Sequence, residues 1–155
     1  MLGSLTQQQI DDVLFRNVTG RIGYHDGNRI CIVPVSYAYN GKHVIAHSQE
    51  GTKITMMRKD PDVCFEVDEL TDMRNWSSVI AWGAYEEITV EREKYYAMKF
   101  LVSRLMHLAI SETARMPHIE GQDSTEIYKP EIIRTIVYRI NIEEKTGRFE
   151  KAGVG

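Results

Sequence analysis

The segment Ile30-Cys31-Ile32-Val33-Pro34-Val35-Ser36-Tyr37-Ala38-Tyr39 constrains the fold most, because it is largely apolar on both faces that a strand would present. Side chains alternate across a strand, so Cys31, Val33, Val35, Tyr37 and Tyr39 share one face and Ile30, Ile32, Pro34, Ser36 and Ala38 the other. A small antiparallel barrel fills its core with one face only. The second face must meet a helix, a ligand or another subunit. Pro34 has no N–H for a sheet ladder, which puts it at an edge, at a bulge or where the sheet parts. A parting sheet leaves a gap that admits a flat ligand.

Two dipeptides suited to the positive φ of tight hairpins, Asp26-Gly27 and Asn40-Gly41, bracket this segment, so residues 21 to 47 read as three antiparallel strands. Upstream, Thr6-Gln7-Gln8-Gln9 has the form of a capping box; Ile10, Val13 and Leu14 follow at helical spacing, and Gly20 closes the region. Downstream, residues 53 to 59 form a brief helix ended by Asp60-Pro61, residues 63 to 68 a fourth strand and residues 77 to 90 a long fifth. Glu91-Arg92-Glu93 opens a helix with Met98, Leu101, Val102, Leu105, Leu108 and Ala109 on one face, a stripe that reads as core packing. Residues 111 to 130 are polar and broken by Pro117, Gly121 and Pro130, which predicts a long loop or a weak helix; residues 132 to 142 return to strand.

At 155 residues and 17.9 kDa the chain is expected to be a single domain, residues 1–155. A domain of that size buries about 70% of the surface its unfolded chain exposes and needs no disulfide or metal to fold. Nineteen Lys and Arg against 22 Asp and Glu give a net charge of −3, with no basic block to track a nucleic-acid backbone or an anionic membrane. There is no N-terminal basic region followed by an apolar core and no apolar run of membrane-spanning length, so the expectation is a soluble cytoplasmic protein. Cys31 and Cys64 lack redox or zinc spacing and read as buried free thiols.

The chemistry concentrates in His47-Ser48-Gln49-Glu50-Gly51-Thr52-Lys53, between a strand and a short helix. A helix start offers unpartnered N–H groups and the positive end of the helix dipole. Ser48 and Thr52 add hydroxyl donors, Gly51 lets a backbone come close and Lys53 supplies a point charge, so the stretch reads as a phosphate site. The plainer alternative is a capped helix with a solvated lysine. His43 and His47 are four apart, which in a strand is about 13 Å, too far to share one zinc. Nucleophile elbow, Walker loop and dinucleotide fingerprint are all missing. Asp68, Glu69 and Asp72 read as a solvated acidic cluster in a strand-to-strand loop. A chain of this kind hosts chemistry when a cofactor carries it. Ser77 and Ser78, opening the fifth strand beside Trp76 and Val79, have hydroxyls suited to a bound phosphate or ring edge.

The ordered set Gly20-Arg21-Ile22-Gly23, Val33-Pro34-Val35-Ser36-Tyr37, Asn40-Gly41, His47-Ser48-x-x-x-Gly51-x-Lys53, Asp60-Pro61-x-Val63-Cys64-Phe65-Glu66-Val67 and Ser78-Val79-x-x-x-Gly83 resembles the FMN-binding split-barrel superfamily. Within it, the set is most similar to the nitroimidazole-resistance (Nim) proteins, relatives of pyridoxamine 5'-phosphate oxidase. The resemblance covers residues 18 to 90. It implies a mainly β, antiparallel split β-barrel with flanking helices, and a homodimer with FMN at the subunit interface. By position, Val33, Pro34, Val35 and Ser36 would line the flavin and its ribityl chain, Ala46 and His47 would lie beside it, and Ser48, Thr52 and Lys53 would hold the phosphate, with Ser78 and Val79 nearby. Thr52 stands where the oxidase has a second basic residue, and no match to the oxidase's C-terminal substrate-binding region is recognisable, so pyridoxine phosphate chemistry is not assigned.

The leading functional expectation is an FMN-dependent oxidoreductase that reduces small electron-poor compounds such as nitroaromatics. His47 is the candidate catalytic donor, with a backbone-bonded strand histidine as the structural alternative. A non-catalytic flavin carrier or sensor is the second reading. A haem-binding split barrel with His107 or His118 as axial ligand is the third, and a phosphate grip argues against it because haem carries carboxylates.

Overall fold

The computed structural model describes residues 1–107 and 135–153. In chain order the elements are β1 (Leu2–Ser4), α1 (Gln7–Arg16), β2 (Thr19–Asp26), β3 (Arg29–Ser36), β4 (Ala38–Tyr39), β5 (His43–Ser48), α2 (Thr52–Lys59), β6 (Asp62–Asp72), β7 (Asn75–Glu87), α3 (Glu91–His107) and β8 (Ile136–Glu150). The strands form one antiparallel sheet in the order β3-β2-β6-β7-β8-β5-β4, with β1 added to β8. It curls into the mainly β split barrel that the sequence implied, flanked by the three helices.

Local chemistry sets the hairpins. Gly27 and Gly41 take φ of +61° and +94°, a region that side chains disfavour. Asn40 Oδ1 accepts from the Lys42 and His43 amides at 2.9 and 2.7 Å, which fixes the second turn. At α1, Thr6 and Gln9 form the reciprocal capping box.

The structure departs from the sequence reading in five places. The segment 30–39 is two strands, because the Tyr37 amide donates to Val18 O at 2.8 Å and pulls the backbone out of one ladder into another. Asp68 and Glu69 lie within β6, where Arg21 reaches Asp68 and Arg16 reaches Glu69, each at a closest approach near 2.6–2.7 Å. β8 continues to Glu150, because its polar second half pairs with β7 while its alternate side chains face water. β1 has no counterpart in the sequence reading, being only three residues long. Both cysteines are half-buried rather than buried: Cys31 sits on the edge strand and Cys64 on the outward face of β6. The expectations for Leu108, Ala109 and residues 111 to 130, and the start of the last strand at 132, lie outside the described residues.

Ile10, Leu14, Ile22, Phe65, Val67 and Tyr138 fill the barrel interior. Phe65 packs edge-on to Tyr37 with centroids 4.8 Å apart, and Gly20 makes room for it: a Cβ there would lie 2.4 Å from Phe65 Cζ. A second cluster joins Met98, Leu101 and Leu105 of α3 to Ala38, Ile45 and Val137 on the back of the sheet. The outward face of β3-β2-β6-β7 carries a cross-strand row of Ile32, Gly23, Cys64 and Trp82, with Ile32 70% and Trp82 40% exposed. That is the second apolar face anticipated from the sequence. Pro34 lies on β3, at the sheet edge. Among the described residues no helix is long and apolar enough to cross a membrane.

Candidate functional site

The sheet parts where β3 leaves β5. β4 pairs with β5 only through Ala38 with Ile45 and Tyr39 with Val44. Beyond that point β3 pairs with β2 alone, and residues 46 to 48 of β5 pair with β8 alone. Among the described residues, Val33–Ser36 and Ala46–Ser48 therefore each keep a strand edge without a ladder partner, although β3 and β5 approach one another. Unpaired backbone donors and acceptors along two facing edges suit a flat ligand with polar margins.

At the end of β5 the chain turns into α2. Gly51 is its N-cap, with no side-chain capping bond, so among the described residues the first amides of the helix carry no side-chain acceptor. Thr55 N returns to Gly51 O at 3.0 Å, and Ser48 Oγ donates to Gln49 O at 2.9 Å. Lys53, on the first turn, is half-buried and has no hydrogen bond or ion pair among the described residues; burial pushes its ammonium below the ordinary lysine range. His47 is also half-buried. Burial first, and the Lys53 charge second, hold its imidazole below the ordinary histidine range, so it is neutral at pH 7. An unpartnered, partly desolvated ammonium beside an uncapped helix start is an electrostatic arrangement that an anion would complete. The residues present thus fit a flat ligand ending in a phosphate.

The structure brings Val33–Ser36, Ala46, His47, Ser48, Thr52 and Lys53 to this one split. The Val35 and Ala46 side chains fill the core, so those positions offer backbone to the gap, whereas Pro34, Ser36 and Thr52 are exposed. Ser78 and Val79 are elsewhere. Val79 is fully buried, and Ser78 lies on the outward face, donating to Glu66 Oε1 at 3.4 Å. The side chain of His107 and the whole of His118 lie outside the described residues.

Sequence reasoning missed two features here. Arg58 grips Glu50 and Glu87 at once, a pairing eight residues one way and 29 the other that no helical or strand period announces. The Tyr138 hydroxyl is buried without a hydrogen-bond partner among the described residues, its ring 5.2 Å from that of Tyr85; nothing in the sequence singles out either tyrosine.

The family described as pyridoxamine 5'-phosphate oxidase matches residues 6–149. An uncharacterized protein of Rhizobium meliloti (strain 1021), RA0666, is 39% identical over 126 residues, covering 79% of this chain and 78% of that one. Among solved structures, an FAD-binding protein of Mesorhizobium loti, mll6688, is 26% identical with a TM-score of 0.73, over 97% of this chain and 99% of that one. A protein of Bacteroides thetaiotaomicron provisionally assigned to 5-nitroimidazole antibiotic resistance has the same fold: TM-score 0.73, 19% identity, 96% of this chain and 87% of that one.

Proposed function

The chain belongs to the pyridoxamine 5'-phosphate oxidase family, a membership that brings a general flavin-associated, oxidoreductase-like role, and within it we propose an FMN-dependent oxidoreductase acting as a homodimer on small electron-poor compounds such as nitroaromatics. The observation that carries this reading is Lys53: a half-buried ammonium without a partner among the described residues, at a helix start whose N-cap makes no side-chain bond, beside the parted edges of β3 and β5.

In this reading Lys53, Thr52 and Ser48 hold the FMN phosphate, and the edges of Val33–Ser36 and of Ala46–Ser48 hold the ring and ribityl chain. Bound flavin supplies the electron transfer. The Lys53 charge then gains the counter-ion that its burial calls for. His47, neutral at pH 7, donates a hydrogen bond to negative charge developing on the acceptor. Ser78 and Val79 belong to the same kind of site only if a second copy brings them, with the apolar row of Ile32, Cys64 and Trp82 covered in the same contact. FAD shares the ribityl phosphate, so the FAD-binding Mesorhizobium protein is consistent with the same grip.

The test is a titration of purified protein with FMN, FAD and riboflavin, followed by anaerobic reoxidation of the reduced protein with a nitroaromatic. Tight FMN uptake with acceptor-dependent reoxidation supports the reading. Unchanged flavin fluorescence and melting temperature after stoichiometric FMN would remove the cofactor, and FMN uptake with reoxidation no faster than free reduced FMN would leave a carrier.

A further inference from the structure

Glu50 is the one acidic residue inside the stretch from His47 to Lys53, and its placement needs an explanation. It lies three positions before Lys53, so their backbones are at most about 10 Å apart, a gap that an extended carboxylate and an extended ammonium close between them. An ion pair there would fill the anion site from within. In the structure Glu50 points elsewhere. Arg58, on the last turn of α2, donates from Nη1 to Glu50 Oε2 at 3.0 Å and from Nη2 to Glu50 Oε1 at 2.8 Å. The same guanidinium donates to Glu87 Oε1 from Nη2 at 2.7 Å and from Nε at 3.2 Å, and the Tyr85 hydroxyl donates to that oxygen at 3.2 Å. Arg58 is therefore anchored to the end of β7 while it draws Glu50 along the helix and away from the split.

We propose that Arg58 is a positioning residue that sequesters the Glu50 carboxylate and so keeps Lys53 free for a phosphate, a role that rests on the reading of this split as a phosphate-bearing flavin site. Two features of the charges agree with it. Burial alone accounts for the lowered Lys53 pKa, with no carboxylate raising it. The Glu50 carboxyl is held below the ordinary range by its bond to Arg58, so it stays ionised and available to its partner. Paired exposed charges contribute little to folding, which makes steering of one acidic side chain a better reason for the clamp than stability.

The experiment compares FMN and riboflavin binding, by flavin fluorescence, in wild type, R58Q, E50Q and the double variant. R58Q is expected to bind FMN about two- to fivefold more weakly, with riboflavin affinity and melting temperature little changed, because an exposed ion pair competes at about that level. E50Q should bind FMN at least as tightly as wild type, and adding it to R58Q should restore affinity. Any one of three results overturns the proposal: unchanged FMN affinity in R58Q, a double variant as weak as R58Q, or weaker FMN binding in E50Q. The last stands even if R58Q does not fold. Wild type that takes up no FMN would remove the site reading and this role together, whereas wild type that binds FMN confines any failure to Arg58.

Discussion

Ser78 and His47 sit at opposite ends of β8: Ser78 pairs opposite Arg148, and His47 opposite Val137. At about 3.3 Å per residue, the eleven steps from Val137 to Arg148 measure about 36 Å along β8, longer than one flavin. If both belong to one site, each site takes the two from different copies. Light scattering should then give twice 17.9 kDa at micromolar concentration. Mixing K53A with a bulky S78W chain should restore about a quarter of the FMN sites, because half of randomly mixed dimers are hybrids and each hybrid has one undamaged site. A mixture as inactive as its components would assign each site to one chain.

Lys53→Ala should weaken FMN about tenfold to a hundredfold and leave riboflavin nearly untouched. A charge-assisted bond to phosphate contributes about 1.5 to 3 kcal/mol, and riboflavin has no phosphate with which to make it. Equal weakening of both ligands would trace the effect to folding.

The residues that line the split were legible because each rests on a local rule: Pro34 demands an edge, Asn40-Gly41 a tight turn, and the change from strand to helix after Ser48 an anion-ready helix start. What escaped was long-range. The break at Tyr37 depends on Val18, 19 residues earlier, and the polar half of β8 becomes a strand only because β7 offers it a ladder. Arg58 acquires its role from Glu87, a residue brought near by the β6-β7 hairpin. The opposite placement of His47 and Ser78 requires the full sheet order, which spacing does not encode.

Gly83 should tolerate no side chain. A Cβ there would lie 2.1 Å from the Asn141 carbonyl oxygen and 2.8 Å from its carbon, at the register shift between Trp82 and Gly83. Both atoms are backbone, so relief means parting β7 from β8. G83A should cost about 3 kcal/mol, or roughly 10 °C in Tm, in thermal melts without ligand. G51A is the contrasting case: a Cβ at Gly51 meets nothing within 4 Å, its backbone is extended, and its melt should match wild type. A stable G83A would show that the ladder yields more easily than backbone packing allows.

The pH dependence of FMN binding should follow Lys53. Its folded pKa lies below the ordinary 10.5, and a bound phosphate favours the ammonium, so affinity is full while Lys53 is protonated and falls as pH rises through that lowered value. The phosphate stays dianionic above its second pKa of about 6, so it does not contribute in this window. The FMN-to-riboflavin affinity ratio should therefore drop as pH rises through that lowered value, below pH 10.5, in wild type and hold steady in K53R, whose guanidinium does not titrate there. A ratio that falls equally in both would place the titrating group elsewhere.

His47→Ala should separate binding from turnover. The ring is half-buried, lies next to the Lys53 charge and is neutral at pH 7, so it can donate one hydrogen bond without bringing a second cation to the phosphate. Losing a bond to charge that develops only in the transition state costs a few kcal/mol, or roughly a hundredfold in rate, while ground-state binding changes little. H47A should thus keep FMN within about twofold of wild type and pass electrons to a nitroaromatic about a hundred times more slowly, measured by anaerobic stopped-flow on pre-reduced protein. Glutamine, which keeps a donor, should recover part of the rate. An H47A rate equal to wild type would leave His47 as a strand residue beside the ring, with the donor to be sought outside β5.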